Sequence, residues 1–218
     1  MFVISADAAS AFPRLHVGMA AIEKIRPKEF RKRIQEEGKS VRDLIVNRWA
    51  QIQENLQGYV PFFEEWGYIL PLDRQVKTIR AKGLPPVPSL IQALLFCEAT
   101  HGVLMGVQDM DLIHERVIFG TAVQGTTLEG HSGLLSCKPG EPVLIDSQNV
   151  LASYFQGPDR RTAIHSGTRS VAFFAFGAPA MPPGIPRSAL DSVLGFFEGA
   201  SGRILGPLFP GDTSAISL

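Results

Sequence analysis

Hydrophobic residues recur at helical spacing in the first half of the chain. A helical pattern extends from residue 28 to about 57. The preceding strand ends at Pro27, because proline has no N–H to donate in a sheet. Proline also fits the first turn of a helix. Gly38 divides this region into two helices, and Ser40 is the expected N-cap of the second. That second helix has apolar residues at i, i+3 and i+4 spacing on one face, namely Val41, Leu44, Ile45, Trp49 and Ile52.

Other elements flank this helical region. The pattern predicts two strands joined by a turn, at residues 2–5 and 12–22, and a short helix at residues 60–67. Three prolines within residues 83–89 predict a rigid linker, which is followed by a helix over 90–100. A last helix is predicted to end near residues 199–202, with one apolar side formed by Leu190, Val193, Leu194 and Phe197.

From Val103 onward, short β-prone runs alternate with turns that contain glycine. The run Val171–Phe176 is apolar throughout, which is typical of a strand covered on both faces. The predicted strands are 103–107, 117–123, 133–136, 142–146, 150–155, 162–165 and 170–176. The pattern predicts an α+β architecture with a mostly β second half and helices packed against it.

The composition fits a soluble domain. The 218 residues are 45% hydrophobic and 19% charged, which excludes disorder as the main state. No stretch reaches the roughly 18 apolar residues of a membrane helix, and the first residues lack the basic region of a secretory signal. Cys97 and Cys137 have no Cys-x-x-Cys spacing, which excludes a disulfide scaffold and a cysteine-based zinc site. We therefore expect a cytoplasmic protein without a membrane partner.

Positive charge is concentrated between Glu23 and Arg48, although the net charge of the chain is zero. This stretch has nine Lys and Arg residues against five acidic residues. Such a surface attracts polyanions. The same pattern is typical of a solvated helix face, and the sequence leaves both interpretations open.

Three motifs with known chemistry fail on spacing or on residue type. Gly130-His-Ser-Gly lacks the last glycine of a nucleophile elbow, since Leu134 occupies that position. The glycines of 120–125 resemble a phosphate loop, but Thr126 stands where its lysine belongs. The five histidines show no i, i+4 pair and no other metal-binding spacing. We expect neither a metal nor a cofactor.

Two polar clusters are better candidates for a site. In Gly106–Asp111, the alternating Asp109 and Asp111 would share a face of a strand, or would cap the next element if they lie in a turn. The turn Gly157–Thr162 brings together one acid, two guanidinium groups and a hydroxyl. The guanidinium group of arginine can donate two parallel hydrogen bonds to a phosphate or a carboxylate. The alternative is a structural ion pair between Asp109 and one of the two arginines of the turn.

The order of the segments resembles the B3/B4 domain of the phenylalanyl-tRNA synthetase β subunit, and particularly stand-alone proteins that consist of this domain. The resemblance covers roughly residues 10–200, and none of its motifs is diagnostic alone. The matching segments are Phe12–Gly18, Lys82–Ser89, Gln92–Ala99, Gly106–Asp111, Leu128–Gly130, Lys138–Asp146, Gly157–Ile164 and Gly167–Phe174.

The resemblance implies an α+β, B3/B4-like fold in which a central, mostly antiparallel β-sheet flanked by helices forms a pocket. We expect 1–82 to contribute strands and helices of the same domain, 83–200 to form the pocket-bearing core, and 201–218 to be a loosely packed tail. In the synthetase, this pocket hydrolyses tyrosine wrongly attached to the phenylalanine tRNA. Such editing depends on positioning a water molecule and on electrostatics rather than on a nucleophilic side chain.

The chain departs from the synthetase at the editing residues. The synthetase has a histidine three residues before its equivalent of Asp109, where this chain has Gly106. The editing glutamate falls at or beside Arg160, with Asp159 as the nearest carboxylate. No catalytic residue is therefore assigned. The pocket residues that we expect are Glu98, Gly106, Gln108, Asp109, Asp159, Arg160, Arg161, Thr162 and Thr168.

Three functions remain as alternatives, and whether the protein is an enzyme stays open. The first is binding of tRNA or aminoacyl-tRNA, with or without hydrolysis of mischarged aminoacyl-tRNA in trans. The second is a binder or enzyme that reuses the pocket for a free amino acid or another carboxylate. The third is an interaction domain without chemistry. DNA is not an expected partner.

Overall fold

The structure is a computed structural model that describes residues 2–197 and 200–204. The helices are α1 Ala6–Ala11, α2 Pro27–Glu37, α3 Val41–Asn47, α4 Trp49–Gln57, α5 Val60–Glu65, α6 Leu72–Lys82, α7 Ser89–His101 and α8 Gly184–Gly195. Single 3₁₀ turns lie at Gly38–Ser40, Met110–Leu112 and Arg160–Thr162. All helices in the described ranges are too short or too polar to span a lipid bilayer.

The strands form two main sheets and a separate hairpin. They are β1 Phe2–Ile4, β2 Val17–Glu23, β3 Leu104–Asp109, β4 Val117–Thr121, β5 Thr127–Gly130, β6 Gly133–Ser136, β7 Pro142–Ile145, β8 Val150–Ser153, β9 Gly157–Pro158, β10 Val171–Phe176 and β11 Ser201–Ile204. The first sheet has the order β1-β4-β7-β8-β9 and is antiparallel except for the pair β1–β4. The second, β11-β2-β10-β3, is antiparallel throughout, and β5 pairs with β6. The predicted fold class is confirmed, with two sheets in place of one.

Strand β10 lies at the centre of the second sheet, between β2 and β3. All six of its side chains are buried, as its uninterrupted apolar run predicts. Tyr59 joins the sheet to the turn between α4 and α5, since its hydroxyl donates to the Phe176 carbonyl at 2.5 Å and accepts the Leu104 N–H at 3.0 Å. The N-terminal helices and the second half of the chain therefore share one hydrophobic core.

The predicted helix from 41 onward is divided at Arg48 into α3 and α4. The cap predicted at Ser40 does not form, because the 3₁₀ turn Gly38–Ser40 leads directly into α3. The Ser40 hydroxyl instead donates to the Glu37 carbonyl at 2.7 Å.

Two helices have no counterpart in the predicted elements. Helix α1 consists mostly of alanine, and its N-terminus is stabilised by the Ser5 side chain, which accepts the Ala8 N–H at 3.1 Å. Helix α6 has a narrow apolar face between charged residues, and its buried residues are Leu72, Val76 and Ile79. Such short or narrow apolar patterns give little signal before the packing partner is known.

Three other segments correct the predicted strands. Residues 162–165 do not form a strand, because the Asp159 side chain caps a 3₁₀ turn at the start of this segment. Thr127–Gly130 forms an additional strand, which pairs with β6. Ser201–Ile204, placed in the predicted tail, forms β11 and pairs antiparallel with β2. The rest of that tail, 205–218, lies outside the described residues.

We expect Gly102→Ala to lower the free energy of unfolding more than Gly67→Ala, by about 1 kcal/mol or more. Both glycines have positive φ, +63° and +71°, so alanine is strained at both positions. At Gly102 the added Cβ would also lie 2.9 Å from the backbone oxygen of Ile52. At Gly67 it would meet only the Lys138 Nζ, at 3.3 Å, which is the end of a side chain and not backbone. Urea unfolding measures the difference, and equal losses would contradict the close packing of α7 on α4.

Candidate functional site

A small cavity lies where the edge strand of the second sheet meets the end of the first. Strand β3 forms one wall, and β8 with residues 154–158 forms the other. The cavity volume is about 120 Å³, below the roughly 300–1,000 Å³ of drug-sized ligand pockets, so it accommodates one small group. The lining residues are Pro71, Leu104, Met105, Gly106, Gln108, Ala152, Ser153, Tyr154, Phe155, Gln156, Gly157, Pro158, Phe174 and Phe176.

Gln108 contributes a buried polar group to the cavity wall and is only 1% exposed. Its Nε2 donates to the Leu151 carbonyl oxygen of β8. This bond fixes the orientation of the amide, because the reversed amide would place two oxygens against each other. Its Oε1 is buried and has no hydrogen-bond partner among the described residues. An unsatisfied buried acceptor costs roughly 1–3 kcal/mol, so a ligand donor at this atom would be stabilised.

Gly106 lies two residues before Gln108, so both residues are on the same face of β3. A Cβ at Gly106 would lie 3.8 Å from Phe176 Cε2, which is an ordinary van der Waals distance. Glycine therefore leaves part of the cavity open that a larger side chain would fill. On the far wall, Tyr154 and Phe155 pack against Phe62, with ring centroids 5.3 and 5.1 Å away. The cavity has a rigid aromatic wall.

Ser153 lines the cavity but is fully engaged in the structure. Its hydroxyl donates to the buried carboxylate of Glu141 and accepts the backbone N–H groups two and three residues later, at 3.1 and 3.0 Å. Glu141 also accepts the Tyr68 hydroxyl and the Lys138 N–H, both at 2.9 Å. Because the hydrogen and both lone pairs of Ser153 Oγ are used, this serine is not an activated nucleophile.

Glu98 lies behind the cavity wall and is 5% exposed. Its Oε1 accepts the N–H of Met105 at 2.8 Å, and its Oε2 accepts Gln75 Nε2 at 2.5 Å. Burial raises the pKa of this carboxyl from 4.5 to about 7, against the opposing effect of the two hydrogen bonds. The predicted pocket residue Glu98 thus holds the strand that forms the wall, and it does not line the cavity.

Asp109 also does not line the cavity. Its buried carboxylate accepts the Asp111 N–H at 3.0 Å and the Thr168 hydroxyl, and Oδ2 lies 3.3 Å from His165 Nε2. Asp109 therefore caps the 3₁₀ turn that follows it, one of the two roles that its spacing predicted. The alternative ion pair with an arginine of the second cluster does not form, because both arginines have other acidic partners.

The second predicted cluster is held together by Asp159. This residue accepts the Arg161 N–H at 2.8 Å and two guanidinium hydrogen bonds, at 2.9 and 2.6 Å. Burial alone would raise the pKa of Asp159, but the hydrogen bonds from Arg161 and the Glu129 N–H outweigh it and hold the pKa below its usual value. Arg160 pairs with Glu129 at 2.9 Å. The buried Thr162 hydroxyl donates to the Asp159 carbonyl at 3.4 Å.

Of the predicted pocket residues, the structure brings Gly106 and Gln108 into the cavity. Glu98 lies behind the wall, and the remaining six belong to the two Asp-capped turns or to the loop beside them. Pro71 and the segment 153–158, which form the rim and the far wall, are not among the predicted pocket residues. No sequence signal in this segment indicated a cavity.

Within the part of the chain that the structure describes, the cysteines and acidic residues do not form a metal centre. Across residues 2–197 and 200–204, no three His, Cys, Asp or Glu side chains converge where a metal ion would bind. Both cysteines are free and buried. Burial, with a smaller contribution from Glu141, raises the pKa of the Cys137 thiol to about 12, so this sulfur is protonated at neutral pH.

Comparison with known proteins supports the fold. No protein-family model and no curated protein matches the chain. Among solved structures, it is similar to an N-terminal fragment of the phenylalanyl-tRNA synthetase β subunit from Pyrococcus horikoshii, with 13% sequence identity and a TM-score of 0.52. The match covers 94% of this chain and 50% of that one, so the chain spans about half of that fragment. The protein is therefore a mixed α/β protein that shares a fold with this fragment.

We expect the contribution of Glu98 to stability to fall as the pH rises from about 4.5 to about 7. Its pKa is 4.5 in the unfolded chain and about 7 in the folded protein. The contribution is therefore complete below pH 4.5 and is lost as the pH rises through 7, by at most about 3 kcal/mol. Urea unfolding of the wild type and Glu98→Gln across this range measures it. A difference between the two proteins that stays constant with pH would contradict the raised pKa.

Proposed function

We propose that the protein binds an amino acid or an amino-acid ester by enclosing a small part of it in the cavity around Gln108. The observation that carries this proposal is the buried, unpartnered Oε1 of Gln108, a residue that lines a mostly apolar and uncharged cavity. A hydroxyl or an uncharged amine of the ligand would donate to this oxygen, while an apolar group would contact Phe174 and Phe176. The small volume excludes a nucleotide or another large cofactor as the enclosed group.

The lining favours a ligand without a buried negative charge. None of the side chains that line the cavity is charged. A free carboxylate enclosed there would lack a cationic partner, and burying an unpaired charge costs several kcal/mol. An ester avoids this cost, and so does a free amino acid whose carboxylate stays at the rim near the exposed Pro71 and Pro158.

The cavity supports binding and offers no side chain for covalent hydrolysis. Its lining contains no His, Cys, Asp or Glu, and Ser153 is occupied by its own hydrogen bonds. Asp109 and Asp159, the carboxylates nearest to the expected editing positions, cap turns outside the cavity. We therefore propose recognition of the ligand without attack by a protein nucleophile.

A second candidate is that the bound ester is carried by tRNA. The fold neighbour is a fragment of a tRNA synthetase subunit. Helices α2, α3 and α6 and the 3₁₀ turn before α3 also carry exposed cations suited to a phosphate backbone. Those without an acidic partner among the described residues are Lys28, Arg31, Lys39, Arg42, Arg74 and Lys82. Arg160 and Arg161 add little to this candidate, because acidic side chains already pair with both.

We expect Gly106→Val to weaken ester binding at least tenfold and Gln108→Leu to weaken it about fivefold or more. Valine fills the cavity without a backbone clash, and leucine removes the acceptor, whose hydrogen bond is worth roughly 1 kcal/mol or more. Calorimetric titration with methyl esters of alanine, serine, valine, phenylalanine and tyrosine measures the affinities. Gly184→Val is the matched control, since nothing lies within 4 Å of its added Cβ. Full affinity in Gly106→Val, or no saturable binding of any ester, would refute the cavity as the site.

We expect the binding of charged tRNA, if tRNA is the carrier, to weaken steeply with added KCl, because each neutralised phosphate releases counterions. Binding of the free methyl ester should change little over the same salt range. Filter binding of the wild type and the double variant Lys39→Glu/Lys82→Glu measures this, with Arg187→Glu on α8 as the control. Ester binding without tRNA binding would refute the second candidate and leave the first in place.

A further inference from the structure

A second concave site lies between the start of α2, the start of α7 and the loop 164–169. This groove has a volume of about 390 Å³ and shares no lining residue with the cavity around Gln108. Its apolar lining includes Ile25, Phe30, Leu90 and Ile164. Its charged lining consists of arginines alone, because no Asp or Glu side chain is among its lining residues. The groove therefore combines an apolar surface with unbalanced positive charge.

The loop at this groove is fixed by its own hydrogen bonds. The Thr168 hydroxyl accepts the His165 N–H at 2.9 Å and donates to the buried carboxylate of Asp109. The Arg169 carbonyl accepts the Ile25 N–H at 3.0 Å, which ties the loop to the end of β2. The groups that the loop presents are therefore held in place before any ligand arrives, which lowers the entropic cost of binding.

Arg169 presents a free hydrogen-bonding edge to the groove. Its Nη1 donates to the carbonyls of Ser166 and Thr168, at 3.1 and 2.8 Å. Within the described part of the chain, Nε and Nη2 of Arg169 have no hydrogen-bond partner, and Arg169 has no ion pair. These two nitrogens form the edge of the guanidinium group that can donate two parallel hydrogen bonds to an oxyanion, and this edge is available to a ligand. Arg31 lines the same groove and likewise forms no ion pair with a described residue.

Asp109, the carboxylate that contacts the loop of this groove, has no ion pair with either arginine. Asp109 is 1% exposed and is enclosed by Thr168, the Asp111 N–H and His165. His165 Nδ1 accepts the Gly167 N–H at 3.0 Å, so the ring proton is on Nε2, which faces Asp109. The imidazole is 60% exposed and adds a flat surface to the groove lining.

We infer that this groove binds a small oxyanion, a carboxylate or a phosphate monoester, carried on an apolar or aromatic body. The anion would bind to the free edge of Arg169 and to Arg31, and the apolar body would contact Phe30 and Leu90. This ligand differs in charge from the one proposed for the cavity around Gln108. The two sites are therefore independent, and either can fail without the other.

Nitrogen-15 NMR titration with phenylacetate and phenyl phosphate tests this inference, with the neutral phenylacetamide as the matched ligand. We expect saturable shifts in the backbone amides of 164–169 and of Ile25. At least one of the anions should bind tenfold or more tightly than phenylacetamide. Arg169→Gln and Arg31→Gln should each weaken that binding at least tenfold, whereas Arg187→Gln on α8 should leave it unchanged.

Arg31→Gln keeps the test valid if Arg169→Gln disturbs the loop, because no hydrogen bond or ion pair of Arg31 supports the described fold. The inference is overturned if phenylacetamide binds as well as the anions, or if Arg31→Gln retains full affinity. It is also overturned if neither anion shifts residues 164–169, or if the shifts surround Gln108 instead. That last result would assign the anion to the cavity and would contradict the proposal that no negative charge is enclosed there.

Discussion

The hydrogen bond from Gln108 Nε2 to the Leu151 carbonyl oxygen joins the two sheets at the cavity. Gln108 lies on β3, the edge of one sheet, and Leu151 lies on β8 of the other. Because the amide donor is committed to this bond, the buried amide oxygen remains as an acceptor without a partner among the described residues. Two further hydrogen bonds hold β3 in position: the Glu98 carboxylate accepts the Met105 N–H, and the Tyr59 hydroxyl accepts the Leu104 N–H. The way in which the edge strand is held thus determines the chemistry of the cavity.

Elements with a strong local pattern could be predicted from the sequence. Strand β10 is apolar at every position, and such a run suits a strand that is covered on both faces. Helix α7 ends at Gly102, whose left-handed conformation favours glycine. The helices α1 and α6 could not be predicted in this way, because alanines and a narrow apolar face give a signal only when the surface that covers them is known. The division into two sheets depends on pairings between distant segments, which local patterns do not encode.

The candidate site could be predicted only along β3. Gly106 and Gln108 are two residues apart and share a face, whereas the next residue, Asp109, belongs to the opposite face. Asp159 is likewise used as a cap, and its distant partner Glu129 cannot be inferred from spacing. The resemblance to the synthetase domain predicted the fold correctly. Where the resemblance places the editing glutamate, Arg160 pairs with Glu129 and Asp159 pairs with Arg161, and where it places the histidine, Gly106 offers no side chain.

NMR of the Gln108 side chain, labelled with carbon-13 and nitrogen-15, tests the central claim most directly. The side-chain carbonyl carbon reports on the hydrogen bond that Oε1 accepts, and the amide protons report on the bond to Leu151. We predict that a saturating amino-acid ester shifts the carbonyl carbon and leaves the proton that is bonded to Leu151 nearly unchanged. An ester that binds the protein but does not shift the Gln108 carbonyl carbon would contradict the assignment of this cavity as the ligand site.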